Sequence, residues 1–406
     1  MSVNDEEKKP SAPTPPAAHE MNEDTQPLLL DHNPHLHHHH HHAMQPVGVV
    51  DLEADSKRKI RAIAIIGMIA VLVAGVLRRF PVISCCTALA LVLLFFLYSA
   101  IASFALFIAS LLGVLYNASD QAVFCPDYPP DARQCVMLPS SVGLPSENLR
   151  LYAADNTRLH AVFVGQTDPV LRLNTYTILY LHGNAGNFGH RLANVCGLFN
   201  RIKCNVLLLE YRGYGFSSGH PSEAGLYQDA TAALNYLHTR QDIDVNKIVV
   251  FGRSLGGGVG IELASRSNAR QELRALIVEN TFTSIPDMAK ALLPKNNFIT
   301  KLPLCCYKNQ FLSRLKILRT AVPTLIVSGL RDTLVPPHMS VQLHQACGAH
   351  HKRLVRFSHG THNDTWRCPG YYSALKYFLD EVTGGAQVSP VFPPGVTWLR
   401  DAAQNL

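Results

Sequence analysis

Gly252-Arg253-Ser254-Leu255-Gly256 follows directly on the apolar run 247–251 and leads into the glycine-rich stretch Gly256-Gly257-Gly258-Val259-Gly260. A serine flanked by small residues at this spacing suits a sharp strand-to-helix turn, which lifts the serine hydroxyl clear of a sheet. The five-residue pattern alone is common by chance. Its weight comes from the strand pattern before it and the helical pattern after it, which together make Ser254 a candidate nucleophile.

On either side of this turn, short β-rich runs alternate with helical patterns, as expected of a mostly parallel sheet. Runs 149–152 and 160–164 read as a leading antiparallel pair. Runs 177–181, 205–210, 247–251, 276–279, 324–328 and 353–357 read as the strands that follow, with helical spacing over 223–239 and 256–265. Val206-Leu207-Leu208-Leu209 and Ile248-Val249-Val250-Phe251 are unbroken apolar runs, the mark of strands buried on both faces.

A serine hydroxyl is a poor nucleophile near neutral pH and needs a base. Downstream of Ser254, the strand Pro323–Ser328 ends in a loop with Asp332, and the next strand is followed by Gly360-Thr361-His362. Serine, acid and histidine in this chain order are what an α/β-hydrolase fold requires. His362 would take the serine proton, and Asp332 would fix its tautomer and stabilise the imidazolium. Glu279 ends another strand and is a competing acid, while His359 and Asp364 lie close to His362. Upstream, His182-Gly183-Asn184-Ala185-Gly186-Asn187 directly follows the run 177–181. In this fold that loop supplies one backbone N–H of an oxyanion hole and the residue after the nucleophile supplies the other. Asn184, with Ala185 next, and Leu255 are the candidate donors, and His182 is expected to order the loop.

The ends of the chain have a different character. Residues 1–56 are rich in Pro, Asp, Glu, Asn and His, include a histidine run at 37–42, and read as a disordered tail. Residues 57–116 hold two apolar runs, 62–77 and 82–116, separated by Arg78, Arg79 and Pro81; neither has a polar face. They read as a membrane region of two spans. Basic residues ahead of the first run favour a cytosolic N-terminus. Two spans would return the catalytic domain to the cytosolic side of an endomembrane or plasma membrane. One span would place it in the lumen, and Arg78-Arg79 weigh against two. Residues 117–148 read as a connector, 149–383 as the catalytic domain and 384–406 as a Pro-rich tail. The ten cysteines show no repeated zinc-ribbon spacing, although Cys125 and Cys135 in the connector are candidates for a disulfide. A net charge of +6 on 406 residues, without a dense Lys/Arg stripe interleaved with aromatics, gives no sign of a nucleic-acid partner.

The loop 182–187, Tyr211-Arg212-Gly213-Tyr214-Gly215, Gly252–Gly257, Val278-Glu279-Asn280-Thr281-Phe282 and Gly360-Thr361-His362-Asn363-Asp364-Thr365-Trp366 together resemble the α/β-hydrolase domain-containing protein 13-like, BEM-type group of membrane-anchored serine hydrolases. The resemblance covers about residues 149–380. It implies the nucleophile at Ser254, the acid at Asp332 and the base at His362. Relatives of the group include lipid hydrolases and protein depalmitoylases, and such sequences are also filed beside prolyl-oligopeptidase-like peptidases, so ester, thioester and amide cleavage all stay open.

The expected reaction is acyl transfer to water through an acyl-Ser254 intermediate, which needs no metal or organic cofactor. Residues 284–319 lie between two strands and carry Leu292, Leu293, Phe298, Ile299, Leu302 and Phe311. They are the natural cap, and with the membrane region they favour an acylated lipid or protein substrate at a lipid bilayer. The rivals are a serine peptidase, for which no propeller-length repeat is present, and a catalytically silent scaffold, for which no triad member is missing.

Overall fold

Apolar runs without alternation can be buried only in a sheet covered on both faces, and that is where the computed structural model places them. It describes residues 52–79, 81–385 and 391–400. Two units make up the chain, Met1–Leu94 and Phe95–Leu406. The sheet belongs to the second. Its strands are β1 (Ser146–Tyr152), β2 (Arg158–Val164), β3 (Thr177–Leu181), β4 (Asn205–Leu209), β5 (Ile248–Arg253), β6 (Ala275–Glu279), β7 (Thr324–Gly329), β8 (Lys352–Phe357) and β9 (Val396–Leu399). They are ordered β1-β2-β4-β3-β5-β6-β7-β8-β9. Strands β3 to β8 are parallel, and β1, β2 and β9 are antiparallel to their neighbours. This is the α/β-hydrolase fold expected from the alternation of runs.

Because side chains alternate across a strand, β3, β4 and β5 supply both cores. Leu179, Leu207 and Val250 pack on one face, with helices Glu223–Thr239 and Leu255–Ala264. Ile178, Leu208, Val249 and Phe251 pack on the other, with helix Tyr371–Val382. The register sets Leu181 beside Gly252 and Arg253 beside Glu279. The loops that follow β3, β5 and β6 therefore emerge together at the carboxyl edge, where open α/β sheets place their sites.

Several boundaries differ from expectation. α1 spans Leu52–Arg79 and α2 spans Pro81–Val123. Among the described residues only one helix is long and apolar enough to cross a membrane, over Ala88–Val123. The first expected run, 62–77, lies within α1, and the second, 82–116, lies within α2. α1 opens on Glu53, Asp55, Lys57, Arg58, Lys59 and Arg61 and closes on Arg78-Arg79, so charge bounds its apolar run at both ends. The tail with its histidine run lies outside the described residues up to residue 51, and residues 52–56 already belong to α1.

The expected connector is likewise not a bare linker: α2 continues to Val123, and β1 begins at Ser146. Cys125 and Cys135 are both free thiols rather than a disulfide. Finally, the expected C-terminal tail contains β9, which pairs antiparallel with β8 from Leu354–Leu399 to Phe357–Val396. Leu399 is buried against the core, and burial of this kind is what holds an edge strand in place.

Candidate active site

Ser254 caps the N-terminus of helix Leu255–Ala264 at φ 52°, ψ −115°, outside the regions an L-residue normally occupies. Such a conformation costs on the order of 1–3 kcal/mol and persists only where its surroundings impose it. Here the Ser254 N–H donates to the Glu279 carbonyl at 2.9 Å, and Thr281 Oγ1 donates to the Ser254 carbonyl at 2.7 Å. The flanking glycines are needed for close approach. A Cβ on Gly252 would lie 2.2 Å from the Gly256 carbonyl oxygen, and one on Gly256 would lie 2.1 Å from that of Leu181.

Beneath the turn is a buried ion pair. Arg253 Nε lies 2.6 Å from Glu279 Oε1, and the Tyr371 hydroxyl donates to the other carboxylate oxygen. Burial opposes the Arg253 charge, but Glu279, joined by Tyr180 and Tyr371, raises the guanidinium pKa on balance. Burial, reinforced by Glu279, drives the Tyr371 phenol well upward, so it stays a donor. Glu279 therefore faces Arg253 and Tyr371 and makes no bond to His362, which removes it as a competing acid.

Asp332 and His362 meet as expected. His362 Nδ1 lies 2.8 Å from Asp332 Oδ2. Asp332 Oδ1 accepts from the N–H groups of Leu334 and Val335, each at 2.8 Å, so the carboxylate is fixed before the histidine is added. This bond orients Nδ1 as the proton-bearing nitrogen and leaves Nε2 as the acceptor. His359 is exposed, and Asp364 is exposed and lies 3.7 Å from Arg367, so neither belongs to the pair. The Ser254 hydroxyl has no hydrogen-bond partner among the described residues. The structure thus joins acid to histidine but does not close the serine–histidine link, a bond that is commonly long in ligand-free enzymes.

Asn280, within the stretch Val278-Glu279-Asn280-Thr281-Phe282, is not among the sequence-based candidates. It adopts φ 48°, and its Nδ2 donates to the carbonyls of Thr361 and His362 and to Thr365 Oγ1 at 3.0–3.1 Å. Its Oδ1 accepts from Gly329 N–H at 2.8 Å. One side chain thus ties the nucleophile strand's neighbour to the loops of both the acid and the histidine. The only sequence signal was an Asn immediately after a strand, a residue type that tolerates positive φ.

The loop after β3 is held from below and from the side. His182 and Glu210 are fully buried, with His182 Nε2 2.8 Å from Glu210 Oε1 and Nδ1 2.7 Å from the Gly183 carbonyl. Nδ1 faces a carbonyl, an acceptor, and so serves as a donor there. A Cβ on Gly183 would lie 3.6 Å from Ser254 Cβ, so the backbone here passes over the nucleophile. The Leu255 N–H lies in the first helical turn, where backbone donors lack intrahelical acceptors. The Asn184 side chain faces the segment after α2. Its Nδ2 donates to the Val123 carbonyl at 2.6 Å, and its Oδ1 accepts from Cys125 N–H at 3.0 Å and Tyr214 OH at 2.6 Å. Ala185 forms a β-bridge with Cys125, and Gly186 N–H donates to the Tyr128 carbonyl. Asn187 Nδ2 donates to the carbonyls of Ala132 and Cys135. The segment expected to be a connector is therefore stitched to the candidate oxyanion loop along its length.

Comparison with known proteins agrees with this architecture. Residues 176–304 match a family model described as the alpha/beta hydrolase fold. The chain is 38% identical over 281 residues to alpha/beta hydrolase domain-containing protein WAV2 of Arabidopsis thaliana, covering 66% of this chain and 90% of that protein. It is 37% identical over 286 residues to protein bem46 of Schizosaccharomyces pombe, covering 70% and 93%. It is also 33% identical over 270 residues to uncharacterized membrane protein YNL320W of Saccharomyces cerevisiae, covering 66% and 91%. A solved alpha-beta hydrolase from Vibrio vulnificus superposes with a TM-score of 0.50 at 20% identity, covering 68% of this chain and 92% of that one, which speaks to the fold alone. With this topology, a nucleophile-type turn and relatives matched over nine-tenths of their length, the chain belongs to the α/β-hydrolase family, in its bem46-type group.

Proposed function

We propose that the chain is a membrane-anchored serine hydrolase that cleaves an ester or thioester of an acyl lipid or S-acylated protein. The observation that carries this reading is the strained Ser254 at the end of β5, together with the 2.8 Å His362–Asp332 pair on the neighbouring loops. In the proposed reaction Ser254 Oγ attacks the acyl carbonyl carbon as its proton passes to His362 Nε2. The N–H groups of Asn184 and Leu255 stabilise the oxyanion, with Ala185 beside them in the loop. Collapse expels the alcohol or thiol, which takes the proton from His362. Water then repeats the sequence on the acyl-Ser254 ester and releases the acid.

Two features support an acylated substrate at a bilayer. α2 carries exposed apolar side chains such as Phe96, Phe104 and Leu112, which in water would need covering. In the expected cap, Leu292, Phe298 and Leu304 are also exposed, and this cap is tied to the last turn of α2. Lys308 and Asn309 each contact Asp120 at 2.6 Å. Exposed apolar groups beside the end of an apolar helix suit a substrate that stays partly in lipid.

The test is labelling by a fluorophosphonate probe, followed by turnover on matched acyl-ester, acyl-thioester and peptide substrates. Ser254→Ala is expected to abolish labelling and to cut turnover by about 10⁴-fold or more. A folded Ser254→Ala protein with near-wild-type turnover would overturn the mechanism, and preference for the peptide would overturn the substrate class.

A further inference from the structure

Arginines in the catalytic domain are commonly matched by carboxylates: Arg172 by Asp242, Arg212 by Asp155 and Asp229, Arg240 by Glu147 and Asp242, Arg253 by Glu279, and Arg353 by Glu381. A cleft of about 910 Å³ beside the β1–β2 hairpin departs from this pattern. Its lining includes Arg133, Arg150, Arg158 and His160, with Phe216 at one wall, and contains no Asp or Glu. Ser254 is not part of it.

The placement follows from register. Arg150 pairs with His160 and Tyr152 with Arg158, so Asn148, Arg150, Arg158 and His160 all share one face of the hairpin. The opposite face, with Leu151, Leu159 and Ala161, is in the core. Arg133 reaches the same cleft from the segment after α2 and donates only a long bond, 3.4 Å, to the Ser217 carbonyl. The guanidinium groups of Arg150 and Arg158 make no hydrogen bond or ion pair among the described residues. Like charges on neighbouring positions of a hairpin face destabilise it.

The two acids on the hairpin are engaged elsewhere. Glu147 points to the other face, where it pairs with Arg240 at 2.8 Å. Asp155, in the hairpin turn, lies 2.7 Å from Arg212. That bond, with a second from Thr157, holds its carboxyl down at about 2. His160 is bonded through Nε2 to Asn148 Oδ1 at 2.7 Å and lies against the rings of Phe188 and Phe216. Burial first, with Arg158 adding to it and Glu210 opposing, lowers its pKa, so the wall it forms is neutral. The cleft thus presents three unmatched guanidinium groups and a neutral aromatic floor.

We propose that this cleft binds a phosphate-bearing anion, of the kind carried by an anionic phospholipid headgroup. Guanidinium forks match phosphate oxygens in bidentate geometry, which carboxylate-free surroundings leave available. Arg133 lies on the segment that leaves the apolar helix, and Phe216 of the lining and Tyr152, cross-strand from Arg158, are exposed, side chains suited to a headgroup boundary. The site is independent of the triad assignment.

The experiment is calorimetric titration of the full chain in detergent with three probes: a short-chain phosphoinositide bisphosphate, its free inositol phosphate headgroup, and short-chain phosphatidylcholine. Saturable, salt-sensitive binding of the phosphoinositide is expected, with none of phosphatidylcholine. Equal binding of the free headgroup would support the site and identify phosphate as sufficient. Tighter binding of the lipid would support it and identify the bilayer as the source. Arg150→Gln/Arg158→Gln should weaken binding by about tenfold or more with an unchanged melting curve, and Arg133→Gln, on a separate segment, should weaken it too. Absence of saturable binding by either phosphate probe, or undiminished binding by both variants, would overturn the proposal.

Discussion

Asp332 and Glu279 stand at the ends of adjacent strands, and what separates their roles is what each carboxylate faces. Asp332 is held by two backbone N–H groups and spends its other oxygen on His362. Glu279 spends both oxygens on Arg253 and Tyr371 in the interior. Their substitutions should therefore fail differently. Asp332→Asn is expected to lower kcat by about 10³–10⁴-fold with little change in KM or melting temperature, because the histidine loses its tautomer and orientation. Glu279→Gln leaves a buried guanidinium without its counter-charge and should cost about 3–5 kcal/mol of stability. Paired kinetics and denaturant unfolding of the two variants check this, and the reverse pattern would exchange the roles. Asn280 is a positioning residue: it touches the backbone of the histidine loop and Gly329 but no reacting atom. Asn280→Asp keeps the acceptor for Gly329 and loses the donors to the histidine loop. It should lower kcat by about 10–100-fold while KM moves little. A parallel rise in KM, with kcat intact, would show that it serves substrate binding instead.

At the scale of elements, the segment after α2 behaves as part of the site. It contributes acceptors from Tyr128, Ala132 and Cys135 to the loop that carries Asn184, beside one from Val123 at the end of α2. A protein beginning at Asp120 retains these contacts, whereas one beginning at Leu138 loses them. The first is expected to keep its turnover of a small soluble ester. The second should fall by about 10²–10³-fold, the usual effect of losing one well-placed oxyanion donor. Equal turnover by the two folded proteins would refute a role for the segment. None of this was legible in the chain itself. Asn184 and Cys125 are 59 positions apart, and a polar stretch rich in Pro and Asp looks the same whether it is free or stitched down. β9 was hidden for a related reason: Val396-Thr397-Trp398-Leu399 follows Pro393-Pro394 and is too short to show a period. What was legible were elements whose burial demands a pattern. Continuous apolar runs gave away the parallel strands, and the helix Glu223–Thr239 announced itself through its spacing. The order of Ser254, Asp332 and His362 is legible because the fold constrains where such residues fall, but the positive φ of Asn280 and its four bonds exist only once three strands are side by side.

For the whole molecule the deciding quantity is apolar surface. The apolar run of α1 is bounded by charge, and α2 offers 36 residues over Ala88–Val123, whose most apolar 18-residue window has a mean hydropathy of 2.5 and is not buried. About 20 such residues suffice to cross a bilayer, and in water their exposed side chains would drive association. A protein beginning at Asp120 should consequently be soluble without detergent, whereas the full chain should partition into membranes. Turnover of a small soluble ester should be nearly the same for both, since the candidate oxyanion loop, the histidine–aspartate pair and residues 284–319 are all retained. Turnover of an acyl substrate resident in vesicles should fall by about 10²-fold or more in the truncated form. Anchoring replaces a bimolecular encounter with one at high local concentration, and losing it removes that advantage without altering the chemistry. Fractionation, followed by assays of both substrates on both proteins, separates the possibilities. A truncated protein that remains in the membrane fraction would mean that surface beyond α2 also inserts. Equal activity of the two forms on vesicles would mean that the substrate is drawn from water.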